Sequence, residues 1–186
     1  MPASTSQENP SSFPDEASLS NKDGFLFEND VSFIRGEHLF RLRAAAVILQ
    51  DDAVLMVSNT RSPYLYSVGG AVQLGESLED AVIREVQEET GLSLTVERLL
   101  AVHQNFFIDA VMGHHHWHEL SFYFLMSDPG PVNLHSESHS FTGSAERLQW
   151  VPIKDFSEYN AYPLFFKDLP DLLNRNSPAW IVTHED

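Results

Sequence analysis

The chain has 186 residues, of which 42% are hydrophobic and 20% charged, so it is long enough for one globular domain with a sizeable core and too short for two full domains. Its 27 acidic residues outnumber its 11 basic ones and give a formal net charge of −16, which makes nucleic acid and anionic membranes poor partners. It contains no cysteine, which excludes disulfides, thiolate metal sites and a cysteine nucleophile.

The N-terminal segment is rich in serine and proline. Residues 1–23 contain one aromatic residue, Phe13, and cannot bury enough apolar area to offset the entropy of ordering. We therefore expect a disordered tail over residues 1–23 and a single domain over residues 24–186. Residues 1–21 lack the pattern of a secretory signal, and no run reaches the roughly 18 apolar residues of a membrane span, so we expect a soluble, cytoplasmic protein.

Apolar runs predict most of the secondary structure. The strands are predicted over residues 41–50, 53–57, 64–68, 94–107, 116–126, 148–151 and 179–183. The first of these is too apolar for simple alternation, which predicts a strand covered on both faces. Asp51 and Asp52 predict a two-residue turn, and Gly69-Gly70 is expected to break the third strand. Residues 163–175 are predicted to be helical, with Pro170 either starting a new segment or kinking the helix.

The clearest helix signal covers residues 77–91. Ser77 is a good N-cap, Asp80 stands three residues later, and Gly91 is a typical C-terminal stop. Apolar residues at spacings of four predict the face that docks on the sheet, namely Leu78, Val82 and Val86.

Three glutamates share another face of this helix. At 3.6 residues per turn, Glu85, Glu88 and Glu89 fall within an arc of about 100°. Most acidic helix faces are simply solvated, but three carboxylates within one turn repel one another, and a divalent cation relieves that repulsion. Their oxygen ligands favour Mg²⁺ or Mn²⁺ over Zn²⁺.

The positions around these glutamates complete a recognisable spacing. The spacing matches every fixed position of the Nudix box: Gly70, five residues, Glu76, seven residues and then the segment that begins Arg84-Glu85. A chance match at a given start is on the order of 10⁻¹⁰. The chain thus resembles the Nudix hydrolases over residues 40–156, including a closing strand near residues 146–152.

This resemblance implies an α/β fold, specifically a Nudix-type α/β/α sandwich with a mixed central β-sheet. It implies water attack on phosphorus, with Mg²⁺ or Mn²⁺, to hydrolyse the pyrophosphate bond of a small nucleoside diphosphate derivative: a nucleotide, nucleotide sugar or dinucleotide. A nucleotide-type small molecule is therefore the expected partner. The alternative is a non-catalytic, nucleotide-sensing Nudix module, and RNA decapping is a third reading that the acidity disfavours.

The resemblance also implies roles for individual residues. Glu85, Glu88 and Glu89 resemble the metal ligands, with the Gly70 carbonyl as a further ligand. Glu85, Glu88 and Arg84 are then the catalytic residues. Glu85 is assigned as the base, with Glu119 and Glu146 as alternatives.

Other residues are assigned to support and substrate. Arg84 and Glu76 resemble the ion pair that orients the ligand carboxylates. Arg43 and Arg61 are candidate phosphate or base contacts, against the plain reading of surface charges. Two further residues, Glu119 and Trp117, are expected to line the substrate site, although buried aromatic residues belong more often to the core.

Two departures from the family pattern and one cluster remain. Val68 stands where many members have proline, and Gln73 stands where many have glutamate, which removes one carboxylate from the site. The histidines of residues 114–118 suggest zinc, but alternation along a strand leaves too few ligands on one side, so a hairpin tip is favoured. A homodimer is left open, because apolar strands near the N-terminus are available to pair.

Overall fold

The computed structural model describes residues 29–59, 63–108, 115–132, 138–139 and 145–185. The tail expected over residues 1–23 lies outside these ranges, as do Arg61 and His114. No helix in these ranges is both long enough and apolar enough to cross a bilayer.

The secondary structure is mostly strand. In chain order the described strands are β1 (Ser32–Arg35), β2 (His38–Val47), β3 (Leu49–Gln50), β4 (Ala53–Asn59), β5 (Leu65–Ser67), β6 (Gly69–Ala71), β7 (Val96–Ile108), β8 (His116–Met126), β9 (Ser138–His139), β10 (Ala145–Pro152), β11 (Ala161–Tyr162) and β12 (Ala179–Glu185). The helices are α1 (Leu78–Thr90) and α2 (Leu169–Leu173), with 3₁₀ segments at Ile153–Glu158 and Leu164–Asp168.

The described strands form two sheets. The first has the order β1-β2-β8-β7-β12, with β6 also paired to β2, and the second has the order β11-β5-β4-β10-β9, with β3 paired to β4. In the first sheet β2 runs parallel to β8 and β12 runs parallel to β7, whereas its other pairs are antiparallel. The predicted mixed sheet is therefore confirmed.

Strand β2 is covered on both faces, as its apolar sequence predicted. Ala44 and Ala46 belong to a buried cluster with residues of α1. Ala45 and Val47 belong to a second buried cluster, which the 3₁₀ segments and α2 cover. Because period-two alternation sends neighbouring side chains to opposite faces, this one strand contributes to both cores and gives the α/β/α layering.

The hairpin predicted at Asp51-Asp52 is confirmed. Both residues have positive φ, 47° and 60°, and the flanking strands pair Leu49 with Val54 and Gln50 with Ala53. Positive φ at both central positions is the type I′ pattern that matches the twist of a tight hairpin, and Asp is among the residues that tolerate it.

Two elements differ from the predictions. The third predicted strand ends at Ser67, before the glycine pair, as expected, but Gly69 and Gly70 then form a strand of their own, β6, which pairs with Ala45 and Ala44 of β2. A bare backbone can approach β2 this closely, and a pattern of side chains does not reveal that. The helix predicted over residues 163–175 begins as a 3₁₀ segment and becomes α2 only at Leu169, with Pro170 in its first turn.

Candidate active site

Helix α1 is fixed in position by its two ends and its apolar face. The backbone N–H of Asp80 donates to Ser77 Oγ over 3.1 Å, and Gly91 adopts the left-handed conformation with φ of 73°. Ala81, Val82 and Val86 are fully buried against the first sheet. The predicted helix and both of its caps are confirmed, so the other faces of α1 are held in a defined orientation.

The glycines of β6 meet the carboxylates of α1. The Gly69 N–H donates to Glu89 Oε2 over 2.8 Å. An ideal Cβ on Gly70 would lie 2.5 Å from Glu85 Oε1, so a larger residue would displace that carboxylate. The glycine pair therefore provides the close approach between the strand backbone and two of the three predicted metal ligands.

Arg84 links the remaining members of the predicted site. Its Nε and Nη2 donate to the two oxygens of Glu76 at 2.8 and 3.0 Å, and Nη2 also donates to the Ala71 carbonyl at 3.1 Å. Its Nη1 donates to Glu85 at 2.6 Å and to Glu88 at 3.2 Å. One guanidinium thus bridges the two carboxylates and is itself held by Glu76, the geometry expected of an orienting ion pair.

The charged groups at this site shift the pKa values of one another. The hydrogen bond from Arg84 is the main cause that lowers the pKa of Glu76. Burial raises the pKa of Glu85, and Arg84 only partly offsets that effect. Glu76 is also the main cause that keeps the pKa of Arg84 above its usual value. Arg84 is therefore a permanent cation among carboxylates that differ in burial.

The donor set fits a hard divalent cation in its chemistry. It consists of glutamate oxygens and a glycine backbone, and the space beside Gly70 that a Cβ would fill is in contact with the Glu85 carboxylate. The side chains are arranged around Arg84 rather than around one another. Accordingly, no group of three acidic or histidine side chains within the described ranges is already placed to hold a metal ion.

Arg43 is buried. Only 5% of it is exposed, so the plain reading of a surface charge is wrong, and its role as a phosphate or base contact stays a prediction. Its guanidinium donates to Ser67 Oγ, to the Ser67 carbonyl and to the Gly69 carbonyl at 3.1, 2.7 and 3.0 Å. Buried in this way, it holds the backbone that leads into β6.

Glu119 and Trp117 lie on the same face of the first sheet as Arg43. Glu119 is buried, and its oxygens accept hydrogen bonds from Arg41 at 2.8 and 2.5 Å and from Ser121 at 2.7 Å. Burial alone would raise its pKa, but the charges of Arg41 and Arg43 lower the pKa to about 2. The Arg41 guanidinium also lies 5.0 Å from the ring centroid of Trp117. Glu119 is thus a permanently charged partner of two arginines.

The histidines near the start of β8 pack among rings. His118 stacks on Phe106 at 4.5 Å between centroids, and Phe106 stacks in turn on His184 at 4.7 Å. These rings line a cavity of about 630 Å³ together with His38 and His116. His116 begins β8 and pairs with Ile108 at the end of β7, while residues 109–114, on which the predicted hairpin tip depends, lie outside the described part of the chain. Arg61 and the side chain of Glu146 fall outside that part.

Sequence reasoning missed two charged residues. Asp30 is bridged to Gln73 through the backbone, and its carboxylate faces Arg41, Arg84 and Glu76. Burial raises its pKa, with the two arginines opposing. Arg41 could have been found from its position two residues before Arg43 on a strand, which places both on one face; Asp30 had no comparable signal.

Comparisons with known proteins place the chain in one family. A family model described as a NUDIX domain matches residues 39–169. A Bacillus subtilis protein named as the uncharacterized Nudix hydrolase YvcI is 30% identical over 117 residues, which are 63% of this chain and 69% of that protein. A Methanocaldococcus jannaschii protein named ADP-ribose pyrophosphatase is 37% identical over 62 residues, which are 32% of this chain but only 37% of that protein.

The fold also matches solved structures. A MutT protein from Bacillus halodurans superposes with a TM-score of 0.54 over 77% of this chain and 89% of that one, at 19% identity. At that identity the likeness concerns the fold alone.

Proposed function

Since the chain belongs to the Nudix hydrolase family, we propose that it hydrolyses the pyrophosphate bond of a small nucleoside diphosphate derivative. Nucleotides, nucleotide sugars and dinucleotides are the proposed substrates. The observation that carries the proposal is the junction of β6 and α1, where the glycine pair meets Glu85 and Glu89 while Arg84 holds Glu85 and Glu88.

The proposed metal ligands are Glu85, Glu88 and Glu89, with the carbonyl of Gly70. A divalent cation held there, Mg²⁺ or Mn²⁺, supplies neutralisation of phosphate oxygens and a lowered pKa of bound water. The carboxylates must be held in place for that chemistry, and the ion pair of Glu76 with Arg84 supports that role. Arg84 and Glu76 are therefore positioning residues in this proposal.

We assign the proton acceptor to Glu85. It is largely buried, and burial raises its pKa, which favours proton uptake over a fully solvated carboxylate. Glu119 suits this role less well, because its pKa is about 2 and both of its oxygens accept hydrogen bonds. Of the cations on the first sheet, Arg41 is the better candidate for a substrate contact, since 30% of its side chain is exposed and Arg43 is buried.

The proposed setting follows from charge. A net charge of −16 supports a small, metal-neutralised substrate and disfavours nucleic acid. We also propose that the protein acts in the cytoplasm and without a membrane partner.

The test is hydrolysis by the full chain with Mg²⁺ or Mn²⁺. The panel contains ADP-ribose, after the name of the archaeal relative, a nucleotide sugar, a dinucleoside polyphosphate and a nucleoside triphosphate. ³¹P NMR in ¹⁸O-labelled water identifies the products and shows whether water attacks phosphorus.

The variant Glu88→Gln should lower kcat/KM by about a hundredfold or more, because a proposed metal ligand is lost. Glu79→Gln is the matched control, since Glu79 is an exposed acid in the first turn of the same helix, and it should behave as wild type. Turnover of no compound in the panel, or equal rates for Glu88→Gln and wild type, would contradict the proposal.

A further inference from the structure

Arg43 hydrogen-bonds to the backbone directly ahead of Gly70. Its Nη2 donates to the carbonyls of Ser67, the last residue of β5, and Gly69, the first residue of β6, and its Nη1 donates to the Ser67 hydroxyl. Two donors of one planar group therefore fix the segment in which β5 ends and β6 begins. A planar fork of this kind restrains both the position and the orientation of its acceptors.

Gly69 is bound by both Arg43 and a glutamate of α1. The carbonyl of Gly69 accepts from Arg43, and the N–H of the same residue donates to Glu89. The next residue, Gly70, lies against the carboxylate of Glu85. A shift of Gly69 would therefore move the contacts of both glutamates.

The positive charge of Arg43 has the opposite effect on metal binding by Glu85 and Glu89 from the effect of its hydrogen bonds. Burial opposes that charge, but Tyr123, Glu119, Glu89 and Glu85 together outweigh burial and raise the pKa of Arg43. A fixed positive charge near Glu85 and Glu89 weakens their attraction for a divalent cation. The charge of Arg43 should thus lower metal affinity, whereas the geometry of its fork should raise it, and the two effects can be separated.

We propose that Arg43 is a positioning residue of the metal site, and that its planar fork, not its charge, sets the affinity for the divalent cation by holding Gly69 and Gly70 against Glu89 and Glu85. The inference rests on the proposed function, because it takes these two glutamates as metal ligands. It assigns Arg43 no contact with substrate.

The experiment measures Mn²⁺ binding to the full chain without substrate, by electron paramagnetic resonance. Arg43→Lys keeps the charge and loses the fork, whereas Arg43→Gln loses both. If the fork matters, both variants should bind Mn²⁺ about tenfold or more weakly, and the Mn²⁺ concentration for half-maximal hydrolysis should rise in parallel. If the charge dominates, Arg43→Lys will match wild type and Arg43→Gln will bind as tightly or more tightly, which overturns the proposal.

Two further variants keep the result decisive. Ser67→Ala removes the side-chain acceptor of Nη1, together with a hydrogen bond to Tyr123, and should weaken Mn²⁺ binding a few-fold. If both Arg43 variants unfold, wild-type binding by Ser67→Ala refutes the proposal. Glu88→Gln tests whether the proposed metal ligands bind Mn²⁺ at all. If Glu88→Gln binds Mn²⁺ as wild type does, the proposed function fails. If it loses binding while the Arg43 variants keep theirs, only the role of Arg43 fails.

Discussion

Alanine at the two adjacent glycines should separate stability from activity. An ideal Cβ on Gly69 would lie 2.4 Å from the carbonyl oxygen of Ala44 and 2.6 Å from the Cα of Ala45, both backbone atoms of β2. Gly69 also has a φ of 132°, which other residues rarely adopt. On Gly70 the same atom would lie 2.5 Å from Glu85 Oε1, which is the far end of a flexible side chain and is held by Arg84.

The expected magnitudes differ accordingly. In Gly69→Ala the strained backbone costs about 1–3 kcal/mol and the backbone clash a similar amount, so the free energy of unfolding should fall by about 3 kcal/mol or more. In Gly70→Ala the Glu85 carboxylate must retreat by about 1 Å to reach ordinary contact. The free energy of unfolding should then stay within about 1 kcal/mol of wild type, but kcat/KM should fall about a hundredfold.

Urea unfolding and hydrolysis of the best substrate test both expectations. Gly75→Ala is the control, because Gly75 has a φ of 83° but no atom within 4 Å of an ideal Cβ. It should lose about 1 kcal/mol from backbone strain and keep wild-type activity. Full activity in Gly70→Ala would refute the contact with Glu85, and wild-type stability in Gly69→Ala would refute the close approach to β2.

Three further predictions concern pH and the helix cap. Burial lowers the pKa of His103 from 6.5 to about 4, so between these pH values only the unfolded chain takes up a proton at this residue. The free energy of unfolding should therefore decrease by up to about 3 kcal/mol as the pH falls from 6.5 to 4. In His103→Gln, urea unfolding at several pH values should show a smaller decrease over this range. The pKa of Glu119 is about 2, against 4.5 for a free glutamate, so its contribution to the free energy of unfolding is present above pH 4.5 and is lost as the pH falls towards 2. In Glu119→Gln, the free energy of unfolding from urea titrations should not show this loss. Ser77→Ala should lower the free energy of unfolding by about 1 kcal/mol, since the Asp80 N–H loses its acceptor; an unchanged urea midpoint would exclude that cap.

Local features of the sequence predict local structure well here. The bounds of α1 follow from Ser77 and Gly91, and the hairpin follows from Asp51-Asp52, because capping and turn chemistry act within a few residues. The box spacing also brings Arg84 to Glu85 and Glu88, which lie within one turn of it.

Contacts across long separations could not be predicted in the same way. The burial of Arg43 was not predicted, because its acceptors, Ser67 and Gly69, lie 24 and 26 residues away. Arg41 and Glu119 are separated by 78 residues and meet only because β2 and β8 run in parallel register. Register depends on how the whole sheet assembles, and one sequence does not specify it.

The passage from β2 to β3 has a consequence for cooperativity. Only Ile48 separates the two strands, it is fully buried, and its carbonyl accepts from the Leu55 N–H, so one continuous backbone stretch belongs to both sheets. A change of strand register in one sheet would therefore displace a strand of the other. The two sheets should therefore unfold in one transition, and the free energy of a ligand bound at the edge of the first sheet should protect the second sheet equally.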